Sequence, residues 1–328
     1  MKINRIEQKS DWDNWLKANS QHGNFIQSWA WGDILLAESK KVQRLSVDDG
    51  TGIAMRGQIV YQRLPFGLKY AFCAKGPVSG SAHSVFNYQA FNCLIEYIKE
   101  QGCSFFRVEL PHPLENIDFQ VVKTLDTTPR ATVILDISRP EHEILQAMKS
   151  KTRYNIGLAE RKALKIIEKK DPDSFINLSE ETAKRDGFRL HPKQRYQEVL
   201  NSDLSHQISI EYEGKIIASS VFTSFGNMFT YLYGASDYEH RKLMAPYLLQ
   251  WLGIKKAKQA QCKYYDFFGI APLDQDQNYN KNHQYAGVTR FKLGFGGEII
   301  QSPGTCDVVI NKNKYFLYKF LRWLRRKV

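Results

Sequence analysis

Lys292 stands between Phe291 and Leu293 in a glycine-rich stretch, Gly287 to Gly297, that reads as strand and turn. A cation held away from water can stabilise the oxyanion of an ester under attack by an amine, by several kcal/mol. The competing reading is an exposed strand lysine. Glu109 precedes Pro111-His112-Pro113. A carboxylate there can hold an attacking ammonium or take its proton, since an amine must lose a proton to become nucleophilic; equally, it can cap a helix or loop. Asp266 lies among Tyr264, Tyr265, Phe267 and Phe268, where a carboxylate is costly unless hydrogen-bonded or paired. It pins a loop or meets a substrate. The eight histidines show no His-Glu-x-x-His and no close pair, so no metal is expected. The five cysteines include no CxxC, and neither Gly-x-Ser-x-Gly nor a Walker loop occurs.

The elements that must carry these residues follow from length and repetition. A chain of 328 residues is comfortable for two domains, and 43% hydrophobic residues exclude intrinsic disorder. No apolar run is long enough to span a bilayer. Met1–Glu7 offers no apolar leader segment, and an odd cysteine count fits a reducing cytoplasm. A shift of 159 residues aligns the chain with itself without a gap: Phe66-Gly67 falls on Phe225-Gly226, Tyr88 on Tyr247, Ile95 on Ile254 and Cys103 on Cys262. Each copy reads as hairpin, loop, helix and strand. Copy one places them at 57–64, 68–73, 85–101 and 105–110; copy two at 215–224, 228–233, 245–260 and 264–268. Tyr88, Phe91, Leu94, Ile95 and Ile98 recur at the spacing of one buried helix face. The pattern predicts two similar α/β domains, each a mixed sheet with helices on its faces.

Hairpin, loop and helix in this order suggest an acetyltransferase-like (GNAT) domain by analogy. Such domains hold the pyrophosphate of coenzyme A on glycine-containing backbone at a helix N-terminus. Here that stretch is Arg241-Lys242-Leu243-Met244-Ala245-Pro246, with Met for the first glycine and a proline that deletes a donor. Copy one offers Ser79-Gly80-Ser81-Ala82-His83-Ser84, without the arginine. Coenzyme A is therefore not expected.

Motifs in shared order give a fuller resemblance. They include Phe25-Ile26-Gln27-Ser28-Trp29-Ala30-Trp31-Gly32, Lys75-Gly76-Pro77-Val78, Lys151-Thr152-Arg153-Tyr154-Asn155-Ile156, Arg185-Asp186-Gly187-Phe188, Tyr231-Leu232-Tyr233-Gly234-Ala235-Ser236 and Tyr265-Asp266-Phe267-Phe268-Gly269-Ile270. The run Gly287-Val288-Thr289-Arg290-Phe291-Lys292-Leu293-Gly294-Phe295-Gly296-Gly297 completes the set. Nearly the whole chain thus resembles the Fem family of peptidoglycan bridge-forming transferases (FemABX). That family joins an amino acid from aminoacyl-tRNA to the stem peptide of a cell-wall precursor. The resemblance implies two GNAT-like domains, residues 1–130 with 304–328 and residues 131–303, the C-terminal helix returning to the first. It implies the compact form without a long helical hairpin. It also implies catalytic roles for Lys292 and its neighbour Phe291, and an acceptor-holding role for Glu109. Lys75, Tyr233, Asp266 and Arg290 become candidates for substrate binding. No ATP-binding loop is present, so an already activated donor fits and no cofactor is expected. Relatives that use nucleotide-linked precursors tend to carry a lysine where Leu35 stands, and an Arg-Tyr pair where this chain has His191, Arg195 and Tyr196. A different phosphate grip through Arg189, Lys193 and Arg195 is the alternative.

The net charge of +12 resides in two places. Residues 139–170 hold nine basic and four acidic side chains; residues 312–328 hold seven basic and none acidic. Residues 141–170 read as helix, with Ile144, Leu145, Met148, Ile156, Ala159 and Ala163 inward. Lys149, Lys151, Arg153, Arg161 and Lys162 form a cationic edge suited to the phosphates of a tRNA stem, or simply a solvated face. The tail Lys314–Val328 reads as a basic amphipathic helix that can lie on an anionic membrane. Docking onto the first domain would compete for the same apolar residues, which predicts a packed helix with a cationic outer face. Two rival classes remain at this point, a coenzyme A-dependent N-acyltransferase and a non-catalytic RNA- or membrane-binding protein.

Overall fold

The protein is described here from a computed structural model that covers residues 1–20, 23–80, 86–115 and 117–327, with 326 and 327 as backbone only. Ser81–Ser84 of the copy-one loop lie outside the described residues. The chain divides into two compact units, residues 1–130 with 302–328 and residues 131–301. Among the described residues no helix is long and apolar enough to cross a membrane. The longest helix has 16 residues.

In the first unit an eight-stranded sheet runs Lys2–Arg5, Lys41–Asp48, Ile53–Arg63, Lys69–Cys73, Phe105–Val108, Cys306–Val309 and Gln120–Lys123, with Val78–Ser79 added to Ile53–Arg63. The helix Tyr88–Glu100 starts where the Asn87 side chain accepts from the Ala90 N–H, an N-cap that satisfies one orphan donor. Its predicted face is the buried one: Phe91, Leu94, Ile95 and Ile98 meet Leu45, Met55, Ile59 and Phe106. Each such side chain contributes about 1.5–3 kcal/mol through burial. The C-terminal strand is locked by a buried ion pair, Arg107 Nε to Asp307 Oδ1 at 2.7 Å, with Tyr315 Oη donating to Asp307 Oδ2 at 3.0 Å. Burial opposes the Arg107 charge, but its bonds to Asp307 raise its pKa overall.

In the second unit seven strands run Glu298–Gln301, Ala131–Asp136, Tyr264–Asp266, Met228–Ser236, Lys215–Phe225, Ser205–Tyr212 and Lys165–Ile167. The repeat is visible in the pairing. Lys69–Cys73 runs parallel to Phe105–Val108, and Met228–Ser236 runs parallel to Tyr264–Asp266. The second-copy helix is Ala245–Gln259.

Two expectations are corrected. Residues 141–170 are not one helix but Glu141–Ala147, Ser150–Glu160 and the strand Lys165–Ile167. The break occurs because Lys149 N–H donates to Gly294 O at 2.9 Å, and Arg153 Nη1 donates to the carbonyls of Gln146 and Met148. Ala163 is exposed as a result. Second, the segment carrying Lys292 is not strand and turn but the helix Ala286–Lys292.

Candidate active site

The second unit buries the Lys292 side chain; the residue is only 6% exposed. Its Nζ donates to Phe268 O and Gly269 O, each at 2.8 Å, and stands 5.4 Å from the centre of the Tyr231 ring. Burial drives its pKa down to about 7, with the nearby Asp266 charge resisting the fall. The two carbonyls face the lysine because Asp266 bends the chain toward it. Asp266 Oδ1 accepts the Phe268 N–H at 2.7 Å and the Thr132 hydroxyl, and Phe268 is left-handed at φ 54°. Asp266 therefore shapes the loop that holds Lys292. A lysine has three donors, and these two carbonyls take two of them.

Phe291, the neighbour of Lys292 in the chain, lines a cavity of about 360 Å³ together with Lys149, Lys151, Thr152, Tyr247 and Arg290, with Gly287 and Gly294. Phe291 meets Tyr247 edge-on at 5.0 Å and Phe295 at 5.2 Å. Gly294 is required there, since a Cβ would lie 2.4 Å from Thr152 Oγ1. Three cations and two aromatic rings make this a place for an anionic group attached to a flat or apolar one. The expected basic row thus divides. Lys149 and Lys151 line the cavity, Arg153 is drawn back to the helix break, and Arg161 and Lys162 are exposed at the far end of Ser150–Glu160.

A bulge in Met228–Ser236 separates Tyr231 from Tyr233: Phe222 pairs with Tyr231 while its neighbour Val221 pairs with Tyr233. Tyr233 consequently joins a second cluster, 5.1 Å from Tyr196 and 5.9 Å from His191, and Arg195 hydrogen-bonds it. Burial pushes the Tyr233 hydroxyl up to about 12. Arg189 is exposed. In the first unit, Glu109 is 3% exposed and accepts four hydrogen bonds. They come from Lys75 N–H (3.2 Å), Thr128 N–H (2.9 Å), Thr128 Oγ1 (2.7 Å) and Thr305 Oγ1 (2.9 Å). Lys75 in turn donates from Nζ to Pro129 O at 2.7 Å. This is a loop clamp, the capping alternative for Glu109.

The FemAB family profile matches residues 8–127 and 203–322, more than half of the chain. The chain belongs to the FemAB family. By that membership it is an aminoacyltransferase. A lipid II:glycine glycyltransferase of Staphylococcus epidermidis is 22% identical, with 91% of this chain and 93% of that protein covered. The crystal structure of FemX superposes with a TM-score of 0.80 at 16% identity, covering 97% of this chain and 99% of FemX. A tandem GNAT protein from the clavulanic acid pathway gives 0.51 at 10% identity, over 94% and 98%. These likenesses carry the two GNAT-like α/β domains.

Within this FemAB protein, the loop where coenzyme A enzymes place glycine has Met244 at φ 56°. That is a left-handed conformation glycine would favour, and Pro246 follows it in the first helical turn. Asp237, Glu239 and His240 lie close enough to share a cation. Asp237 already accepts from Lys215 at 2.9 Å and pairs with His240 at 2.8 Å, and these bonds hold it down to about 2 despite the opposing effect of burial. Sequence reasoning missed Tyr247, Thr152, Tyr231 and Thr132. Tyr247 had a signal, its match to Tyr88 across the repeat.

Proposed function

We propose that the protein transfers an aminoacyl group from aminoacyl-tRNA to the stem-peptide amine of a peptidoglycan precursor, as part of cross-bridge formation. The observation that carries this reading is the buried Lys292, held by two carbonyls with its pKa drawn down to about 7, next in the chain to Arg290 and Phe291 of a cationic and aromatic cavity. The amine nitrogen attacks the ester carbonyl carbon and a C–N bond forms. The tetrahedral intermediate collapses as the C–O bond to the ribose breaks, and that oxygen leaves with the proton the amine gives up. Lys292, as ammonium, uses its remaining N–H toward the oxyanion. Phe291 and Tyr247 keep water from the ester, while Lys149, Lys151 and Arg290 hold phosphates of the tRNA end. Tyr233, with Arg195, binds the acceptor, and Arg189 extends that grip. Glu109 acts by positioning the Lys75 loop rather than by removing a proton. Relatives named as lipid II:glycine glycyltransferases favour a lipid-linked precursor.

The test incubates the protein with mixed aminoacyl-tRNAs and with lipid- or nucleotide-linked precursors, then weighs the products. A precursor heavier by one amino acid residue, formed only with charged tRNA, is expected. Transfer from an acyl-coenzyme A instead would overturn the reading.

A further inference from the structure

We propose that the C-terminal helix Lys312–Lys327 docks on an anionic lipid bilayer with its outer face while its inner face stays packed on the first unit. The sequence alone set these two uses in competition. The structure divides the apolar residues between opposite sides of the helix instead.

Tyr315 and Tyr318 point inward, their rings 5.2 and 4.8 Å from that of Phe105. Tyr318 accepts from Arg107 Nη2 at 3.1 Å, and Arg322 donates to Thr124 Oγ1 at 3.1 Å. These contacts fix the rotation of the helix about its own axis. At about 100° per residue, Phe316, Leu317, Phe320, Trp323 and Leu324 then fall on the opposite side. Phe316 is 74% exposed, Trp323 49% and Phe320 47%. Large apolar side chains gathered on one outward stripe mark an interaction surface.

The edges of that stripe select the partner. Exposed Lys312 and Lys319 border it on one side, exposed Lys314 and Arg325 on the other, and the helix carries no acid. Aromatics in the centre with cations along both margins are the pattern of a helix lying in a lipid interface, the rings among acyl chains and the ammonium groups at anionic headgroups. A second copy of this chain would bring cation against cation, which disfavours self-pairing. Nucleic acid would meet apolar rings where it needs charge. The proposal rests on the helix and is independent of the transfer reaction.

The full-length protein is sedimented with vesicles of phosphatidylcholine alone or mixed with phosphatidylglycerol. Binding to the mixed vesicles should be at least about tenfold tighter, and weaken with salt. The double variant Phe316→Ser/Phe320→Ser, at exposed positions, should lose about tenfold or more. Lys312→Glu/Lys319→Glu should lose the preference for phosphatidylglycerol. Melting temperatures and transfer to a water-soluble acceptor should stay as in the parent, which separates lipid binding from folding and from chemistry. Equal binding to both vesicles, no binding to either, or undiminished binding by the serine variant would overturn the proposal. So would a parent dimer that the serine variant converts to monomer, since a second copy would then own the face. Lipid binding without any transfer product leaves this proposal standing and removes the one on function.

Discussion

Each copy of the repeat ends its parallel strand near a buried or half-buried carboxylate that bends a loop. Glu109 follows Phe105–Val108 and Asp266 closes Tyr264–Asp266. In the first copy, four protons from backbone and hydroxyl groups surround Glu109, and the neighbouring ammonium of Lys75 is committed to Pro129 O. In the second, Asp266 accepts the Phe268 N–H and turns two carbonyls onto the buried ammonium of Lys292. In the second arrangement burial pulls the lysine down to about 7 against the opposing charge of Asp266. One device serves two ends. Bending a loop alone, the carboxylate is structural; bending the carbonyls that hold a buried cation, it poises that cation for chemistry.

Lys292→Met is the most severe way to break this contrast. Transfer should fall about a thousandfold or more while circular dichroism stays native; near-parental product formation would return Lys292 to a structural role. The same lysine should also appear in stability. Unfolded, it keeps its proton up to its ordinary 10.5, but folded only to about 7. Between those values the unfolded chain binds more protons, so stability rises with pH across the window, by on the order of 4 kcal/mol. Urea midpoints measured through this range should climb for the parent and not for Lys292→Met. Glu109→Ala should act on stability instead, costing about 2–4 kcal/mol through its orphaned donors. The transfer rate per folded molecule should then stay within about threefold of the parent, and a loss as deep as that of Lys292→Met would make the two copies alike. Asp266→Asn is the mildest. Removing the charge that props up Lys292 lowers its pKa further, so transfer should drop about tenfold near neutrality and recover as pH falls.

Much of the scaffold was legible because burial imposes periods. The helix face Phe91, Leu94, Ile95 and Ile98 and the shift of 159 residues both followed from repetition in the sequence. Two features were not legible, because single long-range bonds decide them. The helix break at Lys149 depends on Gly294 O, more than a hundred residues away. The short helix bearing Lys292 rises from glycine-rich sequence whose local preference favours turns. It is tied down by Thr289, which donates to Tyr285 O and accepts the Ala271 N–H. Lys292 was identifiable by its motif, but its burial and its pair of carbonyl partners were not. The tail was half legible. Its amphipathic character shows in the residue types, while the assignment of tyrosines inward and phenylalanines outward needs the register fixed by Arg107 and Asp307.

The strand Cys306–Val309 lies between Phe105–Val108 and Gln120–Lys123. During synthesis, the first unit therefore cannot close its sheet until a segment made after the whole of the second unit has left the ribosome. Residues 131–301 are continuous and can complete their own sheet earlier. The half of the protein that is translated first is the half that finishes folding last.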